Sequence, residues 1–225
     1  MTALRDAAFH GNLEMIKFLV ENGADINDQK QFGRIALRAA ADRGHLAVVE
    51  LLIEKGANIG SQPFLVAINR GHLAIVKLLI EKGADIESQD MYHNTALLAA
   101  VKRGHLAIVK LLIEKGADIE SQSRFEETAL QAAVTSAHLE VVKLLINKGA
   151  DVNAQGRPYG TALIAAAARG YLEIVRFLVK KGADIRVQHG IHGTALQAAE
   201  SRGHSEIVTF LTRLGDNTTD TILGL

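Results

Sequence analysis

Histidine is the first residue type in this sequence that could support chemistry, as a metal ligand or as a general base. His189 and His192 form an H-x-x-H pair, but no third ligand lies near them in sequence, and this spacing alone is weak support for zinc. The sequence also contains no glycine-rich phosphate loop and no cysteine. We therefore predict no metal site and no cofactor. Five of the nine histidines instead recur at one position of a repeating pattern, which indicates a structural role: His45, His72, His105, His138 and His204.

Arginine recurs in the same regular way, at the expected C-terminal end of a short helix. Stacked at the ~8–10 Å spacing of packed helices, these side chains would form a basic ladder that captures an acidic partner or a carboxylate-rich segment. The alternative is a structural preference for cations at helix C-termini, and the sequence favours this second interpretation. The arginine column consists of Arg43, Arg70, Arg103, Arg169 and Arg202, with His10 and Ser136 at the same position of two other repeats.

The composition limits the classes of partner. Lys+Arg and Asp+Glu are equal at 25 each, so no net charge attracts the chain to nucleic acid or to anionic lipid. The first twenty residues lack the apolar segment of a secretion signal, and no apolar run approaches the ~20 residues that span a bilayer. We expect a monomer that binds neither membrane nor nucleic acid and is located in the cytoplasm, with the nucleus as the alternative.

These columns belong to a repeat that is marked by the triplet Gly-Ala-Asp or Gly-Ala-Asn. Its glycines are spaced by 33 residues, except for one step of 27, and they are Gly23, Gly56, Gly83, Gly116, Gly149 and Gly182. Each unit contains a polar, turn-rich segment, a short apolar helix such as 95–104, and a second helix such as 105–116 that ends at a glycine.

The second helix is apolar around most of its circumference, so neighbouring repeats must cover it on two sides. Polar residues replace apolar ones in the outermost units, for example Asp6, Glu200 and Ser205, as expected of capping repeats. We predict one repeat domain over 1–215 and a tail, 216–225, that folds back over the last pair. The seven predicted helix pairs occupy 1–29, 30–62, 63–89, 90–122, 123–155, 156–188 and 189–215.

The repeat resembles that of the ankyrin family. The resemblance rests on the pattern T-[AP]-L-x-x-A-A-x-x-G-H-L-x-x-V-x-x-L-L-x-x-G-A-D-x-N, which appears with small variations at 2–27 and 161–186. It implies an all-α, ankyrin-type solenoid with short β-hairpin fingers, and a protein-interaction module rather than an enzyme. The sequence departs from the family where Thr-Pro-Leu-His normally opens the first helix. Proline occupies its column only at Pro63, and no repeat has the histidine, so the family's Thr–His hydrogen bonds are missing.

The fingers differ from repeat to repeat, which is where selective contacts with a partner belong. Their tips carry His93, Glu126, Tyr159 and His192 where the family has glycine, although Gly160 and Gly193 can shift the turn by one residue. The alternative is that each tip packs on the neighbouring finger. We predict that a protein or peptide partner, acidic in one version of the hypothesis, contacts Phe32, Arg34, Arg43, Leu65, Asn69, Arg70, Tyr92, His93, Asn94, Lys102, Arg103, Arg124, Phe125, Tyr159 and Arg169.

Two other functional classes stay open at this point. One is a small-ligand or catalytic protein with a groove lined by Tyr92, His93, Glu126, Tyr159 and His192. The other is a purely structural spacer, for which a featureless concave face would argue.

A glutamine column has no exceptions, and we predict that it forms a structural ladder from one finger base to the next. Its members are Gln29, Gln62, Gln89, Gln122, Gln155 and Gln188.

The 27-residue step marks a shortened unit. Aligning Gln62 with Gln29 and Ala67 with Ala40 shows that the missing residues correspond to 30–35, which form the finger of the second repeat. Gln62 therefore leads directly into Pro63, a residue type that suits the first turn of a helix. We predict a notch floored by Leu65, Asn69 and Arg70, with neutral drift as the alternative explanation of the deletion.

Overall fold

A computed structural model of the chain describes residues 3–27 and 36–223. These residues form the seven predicted helix pairs and confirm the all-α, ankyrin-type fold. The helices are α1 Ala3–His10, α2 Leu13–Glu21, α3 Ala36–Arg43, α4 Leu46–Glu54, α5 Ser61–Arg70, α6 Leu73–Glu81, α7 Ala96–Lys102, α8 Leu106–Glu114, α9 Ala129–Thr135, α10 Leu139–Asn147, α11 Ala162–Arg169, α12 Leu172–Lys180, α13 Ala195–Ser201 and α14 Ser205–Leu223, with a 3₁₀ helix at Gly190–His192.

The chain divides into two compact units, Met1–Ala117 and Asp118–Leu225. In the first unit, the first helices of successive repeats (α1, α3, α5, α7) pack side by side, and each packs on the second helix of its own repeat. The second helices α2, α4, α6 and α8 form a parallel layer. The second unit is built in the same way, with α9, α11 and α13 in one layer and α10, α12 and α14 in the other.

The first helices form the centre of each unit because their side chains are small enough for close packing. Every residue of α7 from Ala96 to Val101 is buried, as is every residue of α11 from Ala162 to Ala168. The second helices are buried along one stripe only. In α8 this stripe is Ile108, Val109 and Leu112, whereas Leu106 is 42% exposed. Neighbouring helices therefore cover only part of the apolar surface that the sequence predicts for the second helices.

In two of the first helices, a threonine and a glutamine replace the family's Thr–His pair. In α9 the Thr128 hydroxyl accepts the N–H of Gln131 (3.2 Å), and the Gln131 side chain accepts the N–H of Thr128 (3.1 Å). Thr194 and Gln197 form the same capping box in α13. Two backbone donors at each helix start are thus satisfied without histidine.

The fingers are narrower than full hairpins. Within the described residues each finger closes through a single antiparallel bridge, at Gln89–Thr95, Gln122–Thr128, Gly156–Gly160 and His189–Gly193. His93 and Glu126 adopt positive φ at their tips, of 55° and 59°. In the last two fingers the positive φ falls on Gly160 and Gly193, which confirms the predicted shift of the turn by one residue.

The shortened unit has no finger. α4 ends at Glu54 and α5 begins at Ser61, so a connection of 55–60 replaces the longer segment that precedes the other first helices. α5 starts two residues before Pro63, which lies in its first turn as predicted. Phe64 occupies a position where other repeats have leucine, and it is completely buried. The core thus continues through the deletion.

The end of the chain differs from the prediction. α14 continues to Leu223, so residues 216–223 extend the last helix and do not fold back over it. The division of 1–215 into one continuous domain stays a prediction.

Candidate functional site

The histidine column joins neighbouring repeats. His45, His72 and His105 each place Nε2 3.1–3.4 Å from a carbonyl oxygen at the end of the preceding first helix. Each ring also lies against the glycine that follows that helix, so closely that a Cβ on the glycine would approach the ring to 2.7–2.8 Å. In the second unit His204 makes the same contacts with Ala168 and Gly170. The structural role predicted for this column is confirmed at these four positions.

The boundary between the fifth and sixth repeats departs from this pattern at two residues. Ala137 stands in the glycine column with a φ of 60°, and Tyr171 stands in the following histidine position. The carbonyl of Thr135, which a histidine would reach, instead accepts a hydrogen bond from the Arg169 guanidinium (3.3 Å). Interactions with the side chains of Tyr159 and then Tyr171 raise the pKa of Arg169. Arg169 therefore links the sixth repeat to the fifth.

Two other members of the arginine column also contact the preceding repeat. The Arg43 guanidinium lies 3.9 Å from the centre of the Phe9 ring. Arg70 Nε lies 2.8 Å from Asp42 Oδ1, in an ion pair that is largely exposed. The column is located at the ends of the first helices as predicted, and the structural interpretation accounts for Arg43, Arg70 and Arg169.

Arg103 faces an uncharged residue of the preceding repeat. The register that pairs Arg70 with Asp42 pairs Arg103 with Asn69, which carries no charge. Arg103 is exposed, and its side chain forms no hydrogen bond or ion pair within the described residues. It lines an open depression of about 340 Å³ together with Asn69, Asp90, Asn94, Ala99 and Lys102. We name this feature the Arg103 depression.

The finger at 90–94 forms one wall of the Arg103 depression. Asp90 organises it by accepting the N–H groups of Tyr92 (2.8 Å) and Asn94 (2.9 Å) on Oδ1, and the Asn94 side chain (2.9 Å) on Oδ2. Asn94 Oδ1 accepts in turn from Lys102 Nζ (3.0 Å), which ties the finger to α7. Burial, the largest influence, acts to raise the pKa of Asp90. The hydrogen bonds from Asn94 and Tyr92, with the charge of Lys102, outweigh burial and lower that pKa.

The finger tips present large apolar side chains to solvent. In the first unit Met91 is 79% exposed and Tyr92 54%, and His93 beside them is also exposed. In the second unit Phe125 is 63% exposed, next to the exposed Arg124. The backbone of this second tip is fixed because Ser123 Oγ accepts the N–H groups of Phe125 and Glu127.

The remaining groove residues are engaged within the second unit. Arg157 donates its backbone N–H to the Glu126 carbonyl (3.1 Å), and the two side chains form an exposed ion pair (3.6 Å). The rings of Tyr159 and His192 stack at a centroid distance of 4.8 Å. These contacts join one finger to the next, as the packing alternative predicted, and they favour neither ligand binding nor catalysis.

The outcome differs among four other predicted contact residues: Leu65, Asn69, Phe32 and Arg34. Leu65 is buried in the core of α5, which argues against a place for it on a binding surface or at the floor of a notch. Asn69 does line the Arg103 depression, and its side chain donates to the Leu65 carbonyl (3.0 Å). Phe32 and Arg34 lie outside the described residues, as does Gln29, so the width of the notch beside them stays a prediction.

The glutamine ladder forms only in part. Gln122 donates to the backbone carbonyl of Gln155 (3.4 Å), whereas Gln89 contacts His93 in its own finger (3.1 Å). An asparagine position that the sequence analysis missed forms stronger links. Asn27 bonds the backbone at Gly56 and Asn58 of the next repeat (3.0 and 2.7 Å). Asn153 repeats this with Gly182 and Asp184. The signal in the sequence was the asparagine two residues after the Asp of the Gly-Ala-Asp triplet, which occurs at 27 and 153.

No group of three metal-ligating side chains occurs among the residues that the structure describes. No helix within the same residues is long and apolar enough to cross a membrane.

Comparison with known proteins agrees with this architecture. The family model for ankyrin repeats (3 copies) matches residues 1–63, 64–156, 97–189 and 155–222. The chain therefore belongs to the ankyrin repeat family, whose members are generally protein-interaction modules and typically not catalysts. A similar solved structure is the human ASB11 ankyrin repeat domain, with 30% sequence identity and a TM-score of 0.79 over 88% of this chain and 92% of that one. No curated protein matches the sequence.

Proposed function

We propose that this chain binds a partner polypeptide through its finger tips and the adjoining ends of its first helices. The observation that carries the proposal is the exposure of Met91, Tyr92 and Phe125 on tips whose backbones are held by internal hydrogen bonds. Large apolar and aromatic side chains dominate the energetics of protein interfaces. A tip that is already ordered loses little conformational entropy when it binds.

Affinity purification from the native cell tests this proposal with a matched control. Replacing Met91, Tyr92 and Phe125 by serine removes the exposed apolar tips, and we expect the specific partners to be lost. Phe18, on the second helix α2, is 60% exposed but lies on no finger. We therefore expect Phe18→Ser to capture the same partners as the unmodified chain. Retention of all partners by the finger variant, or their loss with Phe18→Ser, would show that the interaction surface lies elsewhere.

A further inference from the structure

We propose that the Arg103 depression binds the carboxylate of an aspartate or glutamate side chain in the partner polypeptide. This inference rests on the proposed function and identifies the chemistry of the partner at one site. It starts from the geometry of the depression, an open feature of about 340 Å³ between the finger at 90–94, α7 and the end of α5. An acidic side chain can enter such a feature from an extended segment.

Arg103 supplies the recognition group. The first-helix arginines Arg43 and Arg70 contact the preceding repeat, but Asn69 stands where Arg103 would need an acidic partner. A guanidinium presents two parallel N–H donors that match the two oxygens of a carboxylate. Arg103 thus offers this fork to a ligand, whereas Arg70 already donates to Asp42.

The shortened unit favours access to the site. The connection at 55–60 contains no finger, so the repeat that contributes Asn69 supplies no finger wall to the depression. The wall of the depression on the other side is the finger of the next repeat, which Lys102 and Asp90 hold in place. The missing finger and the uncharged Asn69 therefore belong to the same repeat, and both leave Arg103 accessible to a ligand.

The net charge of the depression favours a ligand group that carries one negative charge. Lys102 and Arg103 contribute two positive charges, and the lowered pKa of Asp90 keeps its carboxylate negative at neutral pH. The sum is one positive charge, which one carboxylate neutralises and a phosphate dianion would exceed. Because Met91 and Tyr92 are exposed in the same finger, we expect an apolar residue beside the acidic one in the partner.

The next repeat lacks these cations at the equivalent positions. Glu127, Thr135 and Ser136 stand where the fourth repeat has Asn94, Lys102 and Arg103. The Thr135 hydroxyl donates a hydrogen bond to the Glu127 carboxylate (3.3 Å). This contact stands where the fourth repeat has the Lys102–Asn94 hydrogen bond, and it contributes no positive charge. The carboxylate site therefore does not extend into the fifth repeat.

A titration of the full chain with three capped peptides tests the inference. The probes share the core Leu-X-Leu, in which X is glutamate, glutamine or phosphoserine, and the readout is the NMR signal of the Arg103 side-chain Nε–H. We expect the glutamate peptide to shift this signal. It should also bind about tenfold to a hundredfold more tightly than the glutamine peptide, because the glutamine side chain carries no charge and cannot form hydrogen bonds between charged groups with Arg103. We expect phosphoserine to bind no more tightly than glutamate.

The variants separate charge from geometry. Arg103→Gln is expected to abolish the preference for glutamate, and Arg103→Lys to restore only part of it, because lysine keeps the charge but not the fork. Since both variants lack the Nε–H signal, their binding is followed by the backbone amide signals of 90–94. Arg202→Gln, in the same column of the last repeat, is the control and is expected to bind like the unmodified chain. Equal binding of the glutamate and glutamine peptides, tighter binding of phosphoserine, or an unchanged preference in Arg103→Gln would each overturn the inference.

Failure of the carboxylate site can be distinguished from failure of the proposed function. If the finger variant loses its partners while the glutamate peptide leaves the Arg103 signal unchanged, the carboxylate site is wrong and the interaction surface stands. If the peptide binds at Arg103 but the finger variant keeps its partners, the finger surface is wrong.

Discussion

The contact between a glycine and the histidine of the next repeat leads to a prediction with an internal control. Gly71 ends α5 with a φ of +81°, and a Cβ placed on it would lie 2.8 Å from Cε1 of the His105 ring. Gly83 follows α6 with a φ of +90°, and a Cβ there would meet nothing within 4 Å. Gly71→Ala and Gly83→Ala therefore share the backbone strain and differ in the steric contact.

The magnitudes follow from these two terms. A left-handed backbone costs a non-glycine residue about 1–2 kcal/mol. Reduced entropy of the unfolded chain offsets about 0.4–1 kcal/mol of this cost. We therefore expect Gly83→Ala to lower the free energy of unfolding by about 1 kcal/mol. Overpacking adds about 1–3 kcal/mol, which gives about 2–4 kcal/mol for Gly71→Ala.

Urea unfolding of the two variants beside the unmodified chain measures the difference, with amide exchange of α5 and α6 to follow local opening. His105→Ala completes a double-mutant cycle with Gly71→Ala. Removing the ring should make the Gly71 substitution no more costly than that of Gly83. Equal destabilisation by Gly71→Ala and Gly83→Ala, or no coupling in the cycle, would refute the role of the ring contact.

Three further predictions concern the departures from the repeat pattern. Ala137→Gly removes a positive-φ alanine and should raise the free energy of unfolding by up to about 1 kcal/mol in urea unfolding, whereas no change would mean that the turn is unstrained. Phe64→Ala should cost about 3–5 kcal/mol by the same assay, because its side chain is completely buried beside the deletion, and a cost below that of an exposed substitution would contradict the packing. Because the pKa of Asp90 lies below its ordinary value of 3.8, its carboxylate stabilises the folded finger fully above that pH, and the effect is lost as the pH falls through the lower folded-state pKa. NMR exchange of the Tyr92 amide should accelerate in that acidic range and, in Asp90→Asn, already be fast at neutral pH.

The sequence predicted the repeat architecture well because the periodicity of apolar residues and glycines reports directly on packing. The seven helix pairs, the missing finger before Ala67, and the cations at the first-helix ends all depend on such local patterns. Contacts between repeats were harder to predict. That Asn153 links one repeat to the next, or that Arg169 takes the place of a histidine, depends on which carbonyl lies within reach of a side chain.

At the candidate site, too, the sequence predicted positions better than contacts between repeats. Asn69, Asn94, Lys102 and Arg103 were each predicted to contact a partner, and the structure places them around one depression. Leu65 was predicted from its register beside the deletion, but burial removes it from the surface. Sequence alone also could not separate Arg103 from Arg70, since the distinction lies in the residue each one faces across the repeat boundary.

The central claim is that a partner polypeptide contacts the finger tips. Hydrogen–deuterium exchange of the full chain, measured by mass spectrometry with and without a captured partner, tests it most directly. Binding should slow exchange in the fingers at 90–94 and 123–127 and leave the second helices α6 and α8 unchanged. Slowed exchange confined to α6 and α8, with the fingers unaffected, would contradict the claim.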